Sequence, residues 1–416
     1  MQRLRIKGTG RVGGEIKVQG AKNSALPLMA ACLLPEGGAV IKNCPRLSDV
    51  YAACRIISGL GCRCSFEENT VSVSGELTGC SICEELMREM RGSVVFLGAV
   101  LGKTGECRLS FPGGCELGPR PIDLHLSALR QMGARITEEG GLIYCRAAGG
   151  LRGAVINLSF PSVGATENII LAAVLARGET VILNAAREPE IAELAGFLNS
   201  CGAKISGGGC GTVRIEGVER LRSCEYTVMP DRIAAATFMA AAAVTGGELT
   251  LTDVRCRDMS AVMDVFEEMG CSLYCGGDRL MMSCKRPLRA VKTVRTMPYP
   301  GFPTDAQAVV MAALATADGT SVMVENIFES RYRHVDELVR MGADIKTEGR
   351  VAVIRGVPRL YGARVVAHDL RGGAALAVAA MGAQGVTVIS GAEYIDRGYE
   401  RIEKVLCSIG GDVRRI

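Results

Sequence analysis

Leu60-Gly61-Cys62, Met132-Gly133-Ala134, Cys201-Gly202-Ala203, Met269-Gly270-Cys271, Met341-Gly342-Ala343 and Ile409-Gly410-Gly411 are six copies of one signature: an apolar residue, a glycine, then a small residue. Their glycines are 72, 69, 68, 72 and 68 residues apart, so one unit repeated six times accounts for the chain. Glycine at such a place ends a helix, because a left-handed residue there lets the last carbonyls be satisfied and glycine has no Cβ to oppose that conformation. Two short alternating runs follow each marker, as in Ala203-Lys204-Ile205 and Thr212-Val213-Arg214-Ile215-Glu216-Gly217, and these predict strands. Next comes an apolar helical run opened by polar or charged residues: Lys22-Asn23-Ser24, Arg91-Gly92-Ser93, Ser162-Val163-Gly164-Ala165-Thr166, Asp231-Arg232, Thr304-Asp305 and Asp369-Leu370-Arg371. A strand, a loop and a second helix then lead to the next marker.

The sixth copy runs out after one strand, whereas Leu4-Arg5-Ile6-Lys7-Gly8 through Glu15-Ile16-Lys17-Val18 reads like the segment the other copies carry at that point. The N-terminal segment is therefore expected to complete the sixth unit. Three units fall in residues 22–229 and three in 230–416 together with 1–21. The expectation is an α/β protein of two similar domains joined by two crossings, with the active site in the cleft between them, since domain interfaces favour ligand sites.

With 416 residues, 48% hydrophobic and 22% charged, the chain is neither disordered, collagen-like nor a small disulfide scaffold. A net charge of +4 without blocks of like charge argues against nucleic acid or an anionic membrane as partner. The longest apolar stretch, residues 233–244, is shorter than the ~20 residues a spanning helix needs, and Met1-Gln2-Arg3-Leu4-Arg5 leads into no apolar signal core. A cytoplasmic protein is expected. Its eighteen cysteines are scattered through apolar segments (Cys32, Cys54, Cys201, Cys407) and read mostly as small packing residues. Cys80-Ser81-Ile82-Cys83 has redox or zinc spacing, but no second pair follows it and His125, His334 and His368 stand alone, so no metal site is expected.

Each unit carries an arginine in the loop after its third strand: Arg46, Arg120, Arg187, Arg255, Arg331 and Arg397. Arg46 and Arg255 read as surface residues where a helix begins; the set as a whole suits a phosphate-rich ligand, because guanidinium groups grip phosphate and carboxylate through two parallel hydrogen bonds. The second unit departs most. Its loop is expanded to Phe111-Pro112-Gly113-Gly114-Cys115-Glu116-Leu117-Gly118-Pro119-Arg120-Pro121, whose glycines and prolines describe an exposed, hinged loop. Cys115 is the one reactive candidate among the thiols, since Arg120 nearby favours the thiolate.

These residues carry a resemblance. Ala21-Lys22-Asn23-Ser24-Ala25-Leu26-Pro27, Pro112-Gly113-Gly114-Cys115 with Arg120-Pro121-Ile122-Asp123-Leu124, Ser162-Val163-Gly164-Ala165-Thr166, Phe302-Pro303-Thr304-Asp305 and Ile395-Asp396-Arg397-Gly398-Tyr399-Glu400-Arg401 together resemble the UDP-N-acetylglucosamine 1-carboxyvinyltransferases, an enolpyruvyl transferase family, from end to end. The resemblance implies an inside-out α/β barrel of six βαβαββ units in two domains. It implies transfer of the enolpyruvyl group of phosphoenolpyruvate to the 3-hydroxyl of UDP-N-acetylglucosamine, the committed step of peptidoglycan synthesis. It implies no metal or organic cofactor, and no oligomer is required.

By the same resemblance Lys22, Arg120 and Arg397 surround the phosphate, and Arg371, Arg331 and Arg397 lie near the carboxylate of phosphoenolpyruvate. Cys115 is the proton donor, open to a covalent phospholactoyl adduct and to alkylation by the epoxide fosfomycin, and Asp305 accepts the hydroxyl proton. Asp305 also stands where a helix N-cap would, and both readings stay open. The sugar nucleotide falls to Asn23, Arg91, Arg120, Pro121, Ile122, Asp123, Leu124, Ser162, Val163, Gly164, Asp305 and Ile327. Phe160 replaces a basic residue of some members, and Gly372-Gly373 after Arg371 is expected to loosen that helix start. Three rival readings stand beside it: an enolpyruvylshikimate-phosphate synthase, which lacks the cysteine loop; a catalytically silent sugar-nucleotide-binding regulator; and a purely structural repeat protein.

Overall fold

All six marker glycines lie in the left-handed region, at φ of 99, 94, 97, 92, 96 and 99° in chain order. At each one the amide two residues past the helix reaches back to the same carbonyl of the last turn: Cys62 to Ile57, Ala134 to Leu129, Ala203 to Leu198, Cys271 to Phe266, Ala343 to Leu338 and Gly411 to Leu406. This is one Schellman-type ending used six times. The computed structural model describes residues 2–90, 92–110 and 122–416.

The described residues form two compact units, one from Gly20 to Met229 and one that joins the segment ending at Gln19 to Pro230–Ile416. Each has its own apolar core. In the first, helices Lys22–Ala31, Phe96–Thr104 and Val163–Ala173 sit innermost; in the second, helices Arg232–Thr245, Gln307–Leu314 and Leu370–Gly382 pack on one another. These helices are apolar around nearly their whole circumference, as the run Ile233–Thr245, buried throughout, shows. Such a helix has no solvent face to offer and is stable only at the centre of a fold. Small residues let neighbours approach: a Cβ on Gly98 would lie 2.2 Å from the Asn168 carbonyl oxygen of the adjoining helix.

Outside the helices lie sheets of one repeated design, in which a parallel pair is extended by two antiparallel strands. In the second unit, Gly13–Lys17 runs parallel to Glu248–Thr252, which is followed by Arg279–Ser283 and Ser272–Gly276. Thr293–Arg295, Thr320–Val324, Val351–Arg355 and Asp344–Glu348 repeat the pattern. So do Arg364–Val366, Val386–Ser390, Arg3–Lys7 and Asp412–Arg415, with the N-terminal strand between two C-terminal ones. In the first unit Val155–Asn157 opens one such sheet and Glu225–Thr227, from the end of the unit, pairs in parallel with Ala39–Lys42 near its start. Helices inside and sheets outside is the inside-out α/β arrangement that the resemblance implies. Two cysteines depart from the packing role expected of most: Cys256 and Cys275 form a disulfide.

Candidate functional site

Asp305 lies in the 3-10 turn Thr304–Ala306 that leads into helix Gln307–Leu314. Two arginines hold its carboxylate. Arg331 donates to Oδ1 at 2.6 Å and Arg371 to Oδ2 at 2.9 Å, with the arginine side chains only 5% and 4% exposed against 25% for the aspartate. Arg331 also donates to the Thr304 carbonyl at 3.3 Å and stacks over Phe328. Arg371 donates to the Tyr399 hydroxyl at 3.3 Å, and that hydroxyl meets Thr237 at 2.7 Å. Burial works against the charge on Arg371, but Asp305, Tyr399 and Asp231 outweigh it and hold its pKa above the ordinary guanidinium value. Burial likewise raises the Tyr399 phenol, which stays protonated.

Helix starts aim these groups. Asp369 caps helix Leu370–Gly382 by accepting from the amides of Arg371 and Gly372, both at 2.9 Å. Gly372 and Gly373 do not loosen that start. A Cβ on Gly372 would meet Asp369 Oδ2 and His334 Cβ at 2.9 Å, and one on Gly373 would meet Ile395 Cγ1 at 2.8 Å, so close packing requires both glycines. Ile327 belongs to a loop ordered by buried Glu325, whose Oε1 accepts from the amides of Ile327 and Phe328 at 2.9 and 3.1 Å while Oε2 accepts from the Thr304 hydroxyl at 3.0 Å. Arg397 is half-buried on the turn that follows helix Ala392–Ile395.

In the unit Gly20–Met229, Lys22 is the first residue of its helix and is buried, its ammonium 2.6 Å from the buried Asp49 carboxylate. Ser24 donates to Glu193, which also accepts from the Met229 amide at 2.7 Å and so braces the helix start; Asn23 is exposed beside them. Ile122, Asp123 and Leu124 open helix Asp123–Gln131, and Ser162 caps the helix that begins Val163-Gly164 by accepting from Ala165 at 3.3 Å. Asn168 ties the two segments together, donating to His125 Nδ1 at 2.9 Å and to the Gly164 carbonyl at 3.3 Å. Arg46, Arg187 and Arg255 are exposed. Arg91, Cys115, Arg120 and Pro121 lie outside the described residues.

The fold is that of the enolpyruvyl transferase NikO from Streptomyces tendae, with a TM-score of 0.90 at 23% identity over 100% of this chain and 99% of that one. It is also that of an EPSP synthase from Acinetobacter baumannii, at a TM-score of 0.76, 20% identity and full cover of both chains. The family model described as EPSP synthase (3-phosphoshikimate 1-carboxyvinyltransferase) matches residues 6–406. At the level of sequence, UDP-N-acetylglucosamine 1-carboxyvinyltransferase 2 of Caldanaerobacter subterraneus subsp. tengcongensis is 50% identical over the whole of both chains. The chain belongs to the UDP-N-acetylglucosamine 1-carboxyvinyltransferase family. A further carboxyvinyltransferase, from Symbiobacterium thermophilum, is 49% identical across all of this chain and 95% of its own. The protein is a transferase, and the likeness to the EPSP synthase is one of fold.

For a carboxyvinyltransferase of this family, the structure gathers Asp305, Arg331 and Arg371 into one hydrogen-bonded group and, within the unit Gly20–Met229, pairs Lys22 with Asp49. It adds residues that sequence reasoning passed over: Tyr399 and Thr237 behind Arg371, Asp49 behind Lys22, and Asn168 between the segments at 122 and 164. Thr237 sits inside the apolar run Ile233–Val244 and Tyr399 lies 162 residues further on, so no local pattern announces the pair.

Proposed function

We propose that this transferase moves the enolpyruvyl group of phosphoenolpyruvate onto the 3-hydroxyl of UDP-N-acetylglucosamine and releases inorganic phosphate, in the cytoplasm, as the committed step of peptidoglycan precursor synthesis. The observation that carries the reading is the Asp305 carboxylate held between two buried arginines. Phosphoenolpyruvate brings a carboxylate and a phosphate, and Arg331, Arg371 and Arg397 with Lys22 and Arg120 are the cations to receive them. An arriving anion competes for Arg331 and Arg371, which frees a carboxylate oxygen of Asp305 to accept the sugar hydroxyl proton. The hydroxyl oxygen then bonds to C2 of phosphoenolpyruvate while Cys115 gives its proton to C3. In the second half of the reaction C3 loses a proton, the C2–O bond to phosphate breaks and the enol ether remains. Cations fixed in place beforehand need not reorganise as charge moves to the leaving phosphate. Asn23, Arg91, Pro121, Ile122, Asp123, Leu124, Ser162, Val163, Gly164 and Ile327 hold the sugar nucleotide.

The test is phosphate release from phosphoenolpyruvate with UDP-N-acetylglucosamine or shikimate 3-phosphate as acceptor, with and without fosfomycin. Release with the sugar nucleotide alone, abolished by the epoxide and retained in part by Cys115→Asp but not Cys115→Ser, is the expected result. Release with neither acceptor would put a silent sugar-nucleotide-binding protein in its place.

A further inference from the structure

Every neighbour of Arg397 in the segment Asp396–Glu400 is tied down from outside the segment. Arg415 donates to both Asp396 carboxylate oxygens, at 2.8 and 2.6 Å, and to Glu403 at 3.0 Å. The Gln19 side chain spans the other flank, donating from Nε2 to the Gly398 carbonyl at 3.0 Å and accepting at Oε1 from the Glu400 amide at 2.9 Å. Tyr399 is buried against Thr237 and Arg371. Both clamps stand on rigid supports. Arg415 belongs to the strand Asp412–Arg415, where it pairs with Leu4, and the Gln19 carbonyl accepts from the Asp231 amide at 2.8 Å, directly before the helix Asp231 caps. A two-point grip by a primary amide on one carbonyl and one amide, and a two-point grip by guanidinium on carboxylate, both fix direction as well as distance.

We propose that Gln19 and Arg415 are positioning residues for Arg397, holding the backbone on either side of it so that its guanidinium meets the anionic end of phosphoenolpyruvate without a search. The proposal rests on the reading of Arg397 as a ligand of that substrate. A displacement on the order of 1 Å in a group that must meet its ligand in fixed geometry costs up to about a hundredfold in turnover, so loosening one side of the loop is expected to cost about tenfold.

The experiment is a double-mutant cycle on the full chain: Gln19→Ala, Arg415→Lys and Arg397→Lys singly, then each clamp variant combined with Arg397→Lys. Steady-state constants for both substrates and the melting temperature are measured for each. The expected result is a kcat/KM for phosphoenolpyruvate lowered about tenfold in each clamp variant. The KM for UDP-N-acetylglucosamine and the melting temperature should stay at parental values, with no further loss when either clamp variant is added to Arg397→Lys. Unchanged clamp variants beside a crippled Arg397→Lys would overturn the clamp and leave the reading of Arg397 intact. Losses that add in full on the Arg397→Lys background, or that fall equally on both substrates and on melting, would mean a structural role only and overturn it too. An active Arg397→Lys with parental constants would overturn the reading of Arg397 and the clamp together. Should Gln19→Ala fail to fold, Gln19→Glu, which keeps the acceptor to Glu400 and loses the donor to Gly398, takes its place.

Discussion

Replacing Asp305 by alanine strips two buried guanidinium groups of the carboxylate they share. Breaking a buried ion pair from one side costs about 3–5 kcal/mol, because the remaining charge stays in a poor solvent. The lower end applies here. Arg371 keeps Tyr399, Arg331 keeps the Thr304 carbonyl, and Asp305 itself is one quarter exposed, so water already shares the site. A loss of about 3 kcal/mol in a unit of roughly 200 residues lowers its melting temperature by about 6–12 °C. The same deletion leaves two adjacent cations without the carboxylate they share, so an added anion should bind there and return part of the loss; at a hundred times its dissociation constant a ligand contributes about 2.7 kcal/mol. Scanning calorimetry of Asp305→Ala and the parent, in inorganic phosphate and in chloride of equal ionic strength, reads both effects. A variant that melts within about 2 °C of the parent, or one that gains no more from phosphate than the parent does, would refute the account of Asp305 as the resident counter-ion of Arg331 and Arg371.

His334 is buried, and burial chiefly, offset by Asp369 and reinforced by Arg331, pushes its imidazole down to about 4. The unfolded chain binds that proton at about pH 6.5, so stability is full above that pH and falls as the pH drops toward 4, by about 2 kcal/mol between pH 7 and pH 5. His334→Gln should flatten this part of the slope in urea unfolding; parallel pH dependences for parent and variant would remove it. Gly98→Ala should cost about 3 kcal/mol by forcing two helices apart, whereas Gly133→Ala, with open space around the added methyl, should cost only the roughly 1–2 kcal/mol of a left-handed alanine. Urea midpoints that rank the two the other way would show that close packing, not backbone conformation, was misjudged.

The repeats are legible in the sequence because a left-handed helix ending restricts residue type so strongly that six glycines at near-constant spacing survive in an otherwise divergent chain. The sheets are less so. Strands such as Glu225–Thr227 have three residues, too few for alternation to show, and their partners lie far away in the chain. At the site, residue types disclose Asp305, Arg331 and Arg371 but not their bonding. Pro303-Thr304-Asp305 reads locally as a helix opening, and nothing in that pattern announces the two charge-assisted bonds the carboxylate accepts from guanidinium groups. Asp231 and Asp369, with a similar local pattern, cap their helices.

The strand Arg3–Lys7 lies between Val386–Ser390 and Asp412–Arg415, partners made about 380 residues after it. At ribosomal rates of about 5–20 residues per second it waits roughly 20–80 s for them, and the strand Gly13–Lys17 waits for Glu248–Thr252. During that interval the segment Gly20–Met229 can complete its own core, while the nascent N-terminal strands present unpaired edges. Alternating Arg3, Arg5 and Lys7 with Leu4 and Ile6 keeps the first of these edges charged on one face, the device by which exposed strands resist pairing with one another. The order of synthesis thus sets a vulnerable period for this chain that its finished fold no longer displays.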